Sequence, residues 1–254
     1  MEVKDFVVDF NIDILALTET WLRPHNMDDV DIGTLCPTGY RFLHVPRKQG
    51  RGGSVRIIFK DVLNINASLR VDYVTFEIMD VRLWSLIVYS VTILVIYRPP
   101  DNSFLNRFFE EFSHLLESTV VESSDRVLIT GGFNLHMDRQ DDVNAKRFTD
   151  ILESFDLKQR VCAGTHRNCH TLDLLIKTSD DNMLNNIKVY DPNISDHSAV
   201  MCDVSVRKPQ FKKEVIFYRK LRSLEMESFL SNVADCPLVI DPSSDLSRLS
   251  NSTL

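Results

Sequence analysis

The stretch V-L-I-T-G-G-F-N-L-H, which spans Val127–His136, decides the fold of this chain. It begins as an apolar, β-branched run that is typical of a buried strand. Two glycines then allow backbone angles that other residues avoid, and Asn134 and His136 follow them. Because α/β enzymes present catalytic groups where a buried strand ends at a sheet edge, the stretch predicts a functional site. Gly132, however, supplies no side chain where such a site needs one.

Composition sets the broad class of the protein. The 254 residues are enough for one large domain, or for one domain with a tail. A hydrophobic content of 44% and a charged content of 26% are ordinary for a globular protein. The net charge of −7 argues against a general nucleic-acid coat protein, although it allows an enzyme with a local basic face.

The cysteines and the apolar segments predict the compartment. The five cysteines lack the spacing of a disulfide framework, so we expect a reducing intracellular compartment, nuclear or cytoplasmic, and no disulfide-linked partner. The N-terminus does not resemble a signal peptide. The most apolar segment, Leu83–Tyr97, is short for a bilayer span and rich in β-branched residues, which predicts buried strands and no membrane partner. Nothing in the sequence indicates an oligomeric state.

Hydrophobic periodicity predicts many strands and few helices. Helical spacing occurs at Val3–Phe10, at Leu105–Leu116 after the candidate cap Ser103, and at Phe148–Phe155. Strands are predicted at 13–17, 40–45, 54–59, 62–68, 73–79, within 83–97, and at 126–130, 172–177, 187–190 and 199–206. This pattern predicts an α/β fold with sheets packed face to face and helices outside. We expect one domain over residues 1–206, then a basic and later Ser-, Asp- and Pro-rich linker or truncated tail over residues 207–254.

Polar side chains follow two of the early strands. Glu19 comes directly after the first strand, where its carboxylate is a candidate Mg²⁺ ligand or, alternatively, an acid at the start of a helix. Tyr97 and Arg98 leave the longest apolar segment together. The Arg98 guanidinium either grips a phosphate or belongs to an ordinary surface pair.

Asp196 and His197 precede the last strand. Histidine is suited to proton transfer near neutral pH, and a carboxylate beside it favours the charged form that stabilises negative charge on phosphorus. Asp173 is a candidate partner, because a lone acid in an apolar strand is costly unless it is paired. A competing zinc set has suitable residue types, but its spacing does not match a familiar finger; it comprises Cys162, His166, Cys169 and His170.

Six motifs, taken in order, resemble the endonuclease/exonuclease/phosphatase superfamily, and in particular the endonuclease domain of non-LTR (LINE-type) retrotransposons. They are L-A-L-T-E-T-W-L, G-R-G-G-S-V, V-I-Y-R-P-P, V-L-I-T-G-G-F-N-L-H, T-H-R-N-C-H-T-L-D-L-L-I and I-S-D-H-S. The resemblance spans roughly Val3–Val206. The tail is similar to the segment that joins this domain to a reverse transcriptase.

The resemblance implies a four-layer α/β/β/α sandwich and hydrolysis of phosphodiester bonds in DNA, with Mg²⁺ or Mn²⁺ as cofactor. It implies that Glu19 and Asp196 bind the metal. Tyr97 matches the active-site tyrosine, and Asn134 matches the asparagine of the G-D-F-N motif.

The same resemblance implies that His197 contacts the phosphate and that Asp173 orients His197. The predicted catalytic residues are therefore His197, Asp173, Asn134 and Tyr97. The predicted substrate-binding residues are Asn134, His197, Arg98 and Arg51, the last of these in the basic loop 47–51.

Two departures from the family pattern concern activity and fold. Gly132 stands where the family has the aspartate of G-D-F-N, which orients or deprotonates the attacking water. The loss of a general base typically lowers the rate by about 10²–10⁴-fold. The family's first strand normally precedes a helix like Val3–Phe10, whereas this chain begins at that helix, so we expect that strand to be lacking.

Three functions are consistent with these observations. The first is a retrotransposon-derived DNA endonuclease domain with impaired activity, so its status as an enzyme is open. The second is an inactive module that retains the fold and binds nucleic acid or protein through the basic loop 47–51. The third, less favoured, is a phosphoesterase that acts on lipid or sugar phosphates, since one fold hosts many activities.

Overall fold

The long β-branched runs form the strands of a mixed α/β computed structural model. It describes residues 2–19, 35–45, 54–69, 73–84, 91–121, 126–139, 141–206, 225–236 and 239. The helices are α1 (Val3–Asp9), α2 (Leu105–Leu116, continued by a π-helical turn, Glu117–Val121), α3 (Val143–Ser154) and α4 (Met226–Ala234). The strands are β1 (Ile14–Thr18), β2 (Tyr40–Val45), β3 (Val55–Lys60), β4 (Ile65–Leu69), β5 (Glu77–Leu83), β6 (Val91–Tyr97), β7 (Arg126–Gly132), β8 (Leu157–Gln159), β9 (Asp173–Thr178), β10 (Leu184–Tyr190) and β11 (Ala199–Val204).

A six-stranded sheet in the order β4-β5-β6-β7-β9-β8 forms the centre of the fold. The strand predicted from V-L-I-T-G-G is β7, which pairs parallel with β6 and antiparallel with β9. Side chains alternate between the two faces of a strand, and β6 is buried on both faces. Its continuous run of apolar residues therefore reflects a central strand with packed layers on each side.

Helices α2 and α3 cover one face of this sheet. Helix α2 follows the predicted 3.6-residue period and buries its apolar stripe, which comprises Leu105, Phe108, Phe109, Phe112, Leu115 and Leu116. Helix α3 begins where the Asp142 carboxylate accepts hydrogen bonds from the backbone N–H groups of Asn144 and Ala145. Burial of each such aromatic or aliphatic side chain stabilises the fold by about 1.5–3 kcal/mol.

The other face of the sheet packs on a second layer, which contains the ladders β1-β3-β2 and β10-β11. Val55, Ile57 and Phe59 of β3 share one apolar core with residues of β5, β6, β7 and β9. Helix α1 adds Phe6, whose ring stacks on that of Tyr190 at a centroid distance of 6.0 Å. The predicted fold class, α/β with packed sheets and flanking helices, is confirmed. The lack of a first strand stays a prediction.

Several elements differ from the sequence-based prediction. The N-cap of α2 is Phe104 and makes no side-chain cap bond, so Ser103 is not the cap. Strand β8 was missed, because three residues are too few to show a period. The structure comprises two compact units, residues 1–208 and 209–254. The second unit, predicted as linker, contains α4, and the described residues hold no helix long and apolar enough to cross a membrane.

Candidate active site

Three neighbouring strands bring Tyr97, Gly132 and Asp173 into one row. Tyr97 of β6 pairs with Gly132 of β7, and Gly132 pairs with Asp173, the first residue of β9. Leu128 and Leu175 lie an even number of residues from Gly132 and Asp173, and both belong to the core between the sheets. Because residues two apart share a face, the row points toward the second layer.

Asp173 and His197 form the most defined polar pair at this row. Nδ1 of His197 lies 2.7 Å from Oδ2 of Asp173, and the two side chains are 29% and 18% exposed. This hydrogen bond, opposed by burial and assisted by the charges of Asp173, Glu19 and Asp196, raises the pKa of His197 above its ordinary value. The pairing predicted from the apolar setting of Asp173 is therefore present, and the imidazole is held in one orientation.

Two residues that the sequence analysis did not assign to this site support the pair. Thr165 is fully buried, and its Oγ1 accepts hydrogen bonds from the backbone N–H groups of Leu172 and Asp173, each at 3.0 Å. The ring of His166 lies 5.0 Å from that of His197, and its Nε2 lies 3.5 Å from Oδ2 of Asp196. Both residues lie in the segment V-C-A-G-T-H-R-N-C-H-T, whose two cysteines and two histidines are the competing zinc set of the sequence analysis.

Glu19 follows β1 in a left-handed backbone conformation, with φ at 56°. Such a conformation is uncommon for a residue other than glycine and is concentrated at functional sites. Within the described part of the chain, the Glu19 carboxylate makes no hydrogen bond or salt bridge. It lies close enough to contribute, after the Asp173 hydrogen bond, to the raised pKa of His197. A partly buried carboxylate without a partner suits a cation ligand.

Asp196 directly precedes His197 in the sequence and is more open, with 54% of its side chain exposed. A hydrogen bond from its own backbone N–H, together with the neighbouring His197, Arg167 and His166, lowers the pKa of its carboxyl group. The charge of Asp196 also acts on His197. Both acids predicted to lie on the metal side are thus near the histidine.

Position 132 faces the middle of these groups. A Cβ atom built on Gly132 would lie 3.4 Å from Oδ1 of Asp173 and 3.7 Å from Oγ1 of Thr18 and from Cδ2 of Tyr97. These are ordinary van der Waals distances, and φ of Gly132 lies outside the left-handed region. The structure therefore has room for a Cβ atom beside Asp173, and this chain supplies none.

The predicted role of Arg98 in binding a phosphate does not agree with its position in the structure. Side chains of successive strand residues point to opposite faces, so Tyr97 faces the second layer and Arg98 faces the helices. Arg98 is 1% exposed, and its guanidinium lies 5.4 Å from the centroid of the Phe108 ring. Its Nε donates to the backbone oxygen of Phe133 at 2.5 Å, and Nη2 donates to that of Asn134 at 2.6 Å. Burial lowers its pKa to about 10. Arg98 stabilises the turn and does not reach a phosphate.

Asn134 is fixed by the same contacts. It has φ at 51°, and its Nδ2 donates to the backbone oxygen of Arg98 at 2.7 Å. This bond orients the side-chain amide at the end of the row. Arg51 and the rest of the basic loop 47–51 lie outside the described residues.

The competing zinc set of two cysteines and two histidines, which its sequence spacing disfavours, is not assembled. His166 contacts Asp196 and His197, whereas His170 contacts Asp138: Nδ1 of His170 lies 3.0 Å from Oδ2 of Asp138. Cys162 and Cys169 are exposed free thiols. His166 and His170, four residues apart in the sequence, therefore belong to two different clusters.

Comparison with known proteins supports the fold. Residues 91–201 match the family model described as "Endonuclease-reverse transcriptase". The structure is similar to the endonuclease domain of TRAS1, a telomere-specific non-LTR retrotransposon, with a TM-score of 0.63 and 13% identity over 81% of this chain and 91% of that one. The chain has the endonuclease/exonuclease/phosphatase fold.

Other solved structures share the endonuclease/exonuclease/phosphatase fold. AP endonuclease LMAP from Leishmania major has a TM-score of 0.59 and 16% identity, with 82% of each chain covered. The human Nocturnin catalytic domain has a TM-score of 0.56 and 16% identity, with 79% of this chain and 83% of that one covered. No curated protein matches the chain in sequence. The predicted resemblance to this superfamily is confirmed.

Proposed function

We propose that this chain is a divalent-metal-dependent phosphodiesterase domain that nicks DNA, derived from a retrotransposon, and that Gly132 impairs it. The observation that carries the proposal is the Asp173–His197 pair, whose hydrogen bond is 2.7 Å long, beside the open position at Gly132. Nuclease-like neighbours favour a nucleic-acid substrate. The scattered cysteines suit a nuclear or cytoplasmic protein.

His197 is the group that would contact the scissile phosphate. With Nδ1 held by Asp173, Nε2 is the atom left to bind substrate. The raised pKa favours a proton on both ring nitrogens, so that Nε2–H donates to a non-bridging phosphate oxygen. This donor stabilises the negative charge that grows as water attacks phosphorus.

We assign the metal side of the site to Glu19 and Asp196, whose charges both act on His197. The unpartnered Glu19 carboxylate fits a hard cation, because Mg²⁺ commonly takes one or two protein carboxylates and completes its shell with water and phosphate oxygens. Nucleases of this fold are generally dependent on divalent metals. Such an ion, when bound, supplies Lewis-acid stabilisation of phosphate oxygens.

The attacking water has no carboxylate at position 132 to orient or deprotonate it. Asn134 supplies an oriented amide nearby but is not a base at neutral pH. Asp173 is committed to His197 through Oδ2. We therefore expect the chain to bind a phosphodiester in the site and to hydrolyse it slowly.

The metal role of Glu19 is testable in a Gly132→Asp background, where activity is measurable. Glu19→Gln removes the charge but keeps the size of the side chain, so it should lower nicking of supercoiled plasmid by about 10²-fold and raise the Mg²⁺ concentration needed. The matched control is Glu153→Gln, since Glu153 is exposed on α3. Equal nicking by the Glu19 variant and its parent would contradict the proposed metal site. Preferential hydrolysis of sugar phosphates over plasmid would contradict the proposed substrate.

A further inference from the structure

Beyond the candidate active site, the loop after β7 meets the segment that leads into β9. The backbone N–H of Phe133 donates to the oxygen of Leu172 at 2.9 Å, and that of Met137 donates to the oxygen of Thr171 at 3.3 Å. The N–H of Thr171 donates to Oδ1 of Asp138 at 2.9 Å. These bonds extend the pairing of β7 with β9 past the last strand residues and hold two loops side by side.

Two imidazoles and a carboxylate converge between these loops. The candidate ligand atoms of His136, Asp138 and His170 all lie within 4.8 Å of one another. Among the described residues, these three are the set of His, Cys, Asp and Glu side chains whose spacing suits a metal ion. The rings of His136 and His170 are 4.4 Å apart at an interplanar angle of 78°. None of the roles proposed for the active site uses these three side chains.

A structural hydrogen bond explains only part of this arrangement. Asp138 and His170 satisfy each other, but Nδ1 of His136 is buried and has no hydrogen-bond partner in the described structure. A buried polar atom without a partner costs about 1–3 kcal/mol. A cation bound at Nδ1 of His136 removes that cost, whereas a purely structural Asp138–His170 bond leaves it in place.

We propose that His136, Asp138 and His170 form a second metal site, which takes Zn²⁺ or a similar borderline cation. Zn–N and Zn–O distances of about 2.0–2.1 Å put the ligand atoms of a tetrahedral ion about 3.3 Å apart. Oδ2 of Asp138 and Nδ1 of His170 are 3.0 Å apart, which is close to that spacing. Two nitrogens and one oxygen favour zinc over Mg²⁺ and Ca²⁺, which prefer oxygen ligands.

The surroundings of the cluster support a metal rather than a chance contact. The Thr171 N–H holds Oδ1 of Asp138 and leaves Oδ2 for the ion, in the manner of an outer-shell bond that orients a ligand. The side chains of Asp138 and His170 are 26% and 23% exposed, so an ion can enter from solvent. Zinc here fastens the loop that carries Asn134 to the segment that precedes Asp173.

The test is Zn²⁺ binding by the full chain, freed of metal with a chelator and then titrated calorimetrically in excess Mg²⁺. One equivalent of Zn²⁺ should bind to the wild type and raise its thermal unfolding temperature. His136→Ala and Asp138→Asn should each weaken binding by about 10- to 100-fold. Asp138→Asn retains an oxygen for the Thr171 N–H, so it tests the ligand without removing that bond.

Three controls separate this site from others. Glu19→Gln should bind Zn²⁺ as the wild type does, and so should His114→Ala, a surface histidine on α2. Co²⁺ replaces Zn²⁺ as a spectroscopic probe, and the Co²⁺-loaded wild type should show tetrahedral absorption bands and no sulfur-to-cobalt charge-transfer band. Cys162→Ser should leave this absorption spectrum unchanged. The proposal is overturned if the wild type shows no saturable Zn²⁺ binding. It is also overturned if His136→Ala and Asp138→Asn, tested singly, both bind Zn²⁺ as tightly as the wild type, or if Glu19→Gln loses Zn²⁺ binding.

Discussion

Gly131 and Gly132 are adjacent at the end of β7, yet their surroundings differ completely. Gly131 has φ at 130°, and a Cβ built on it would lie 1.9 Å from the backbone oxygen of Ile96 on β6. Gly132 has no such conformational demand, and a Cβ there would meet its nearest neighbour, Oδ1 of Asp173, at 3.4 Å. One glycine is required by the backbone, while the other occupies space that a side chain could fill.

The difference teaches that fold and chemistry depend on separate residues of the same motif. Glycine at 131 lets the backbone of β7 pass close to that of β6 with a positive φ angle. This close approach keeps Tyr97, Gly132 and Asp173 in one row across the sheet. Glycine at 132 leaves that row intact but removes a carboxylate from its centre. The fold therefore does not depend on a side chain at position 132, which is why the proposed loss of activity is compatible with an intact fold.

The largest expected effect is the loss of stability on substitution of Gly131. Gly131→Ala should lower the free energy of unfolding by at least about 3 kcal/mol, because the methyl group overlaps the Ile96 carbonyl and the positive φ is unfavourable. Gly132→Ala should change it by less than about 1 kcal/mol. Urea denaturation measures both. Equal destabilisation by the two substitutions would remove the distinction between these glycines.

The next effect is on catalysis around position 132. In the Gly132→Asp background, His197→Ala should lower plasmid nicking by about 10²–10⁴-fold, since it removes the donor to the phosphate. His114→Ala, at an exposed position on α2, is the matched control and should nick like its parent. Undiminished nicking after His197→Ala would mean that the activity does not use this site.

The smallest effect concerns the protonation of His197. Its pKa is raised chiefly by the hydrogen bond to Asp173, so Asp173→Asn should move the NMR titration midpoint of the ring down toward the ordinary value of about 6.5. Because the pKa of His197 is raised in the folded state, the Asp173–His197 pair stabilises the fold fully at pH values below the pKa of His197 in the unfolded chain. This stabilisation is lost as pH rises through the pKa of His197 in the folded state. The stability gap between wild type and Asp173→Asn should thus narrow with rising pH. A midpoint that does not move would show that Asp173 is not the controlling partner.

Much of the fold follows from periodicity in the sequence. Strand β7 and helix α2 were predicted within two residues of their ends, because long apolar patterns reflect two-sided burial or a helical stripe. Helix α4 was missed because a basic and Ser-rich composition concealed an apolar helical stripe, which comprises Met226, Phe229, Leu230 and Val233.

The site was predicted less completely, because the sequence does not show which face a side chain takes in the folded state. Arg98 was grouped with Tyr97 although adjacent strand residues point in opposite directions. His166 and His170 were grouped with each other, whereas tertiary pairing sends one toward Asp196 and the other toward Asp138. The binding role proposed for the basic loop 47–51 stays a prediction, since that loop lies outside the described residues.

The most direct test of the central claim is plasmid nicking with Mg²⁺ by the wild type beside Gly132→Asp. A Cβ atom at position 132 lies at ordinary contact distance from Asp173. A like charge near the introduced carboxylate should raise its pKa toward that of a useful base. We predict weak or no nicking by the wild type and a rise of about 10²–10⁴-fold in the variant. Full activity in the wild type, or no gain in a folded Gly132→Asp variant, would contradict the account.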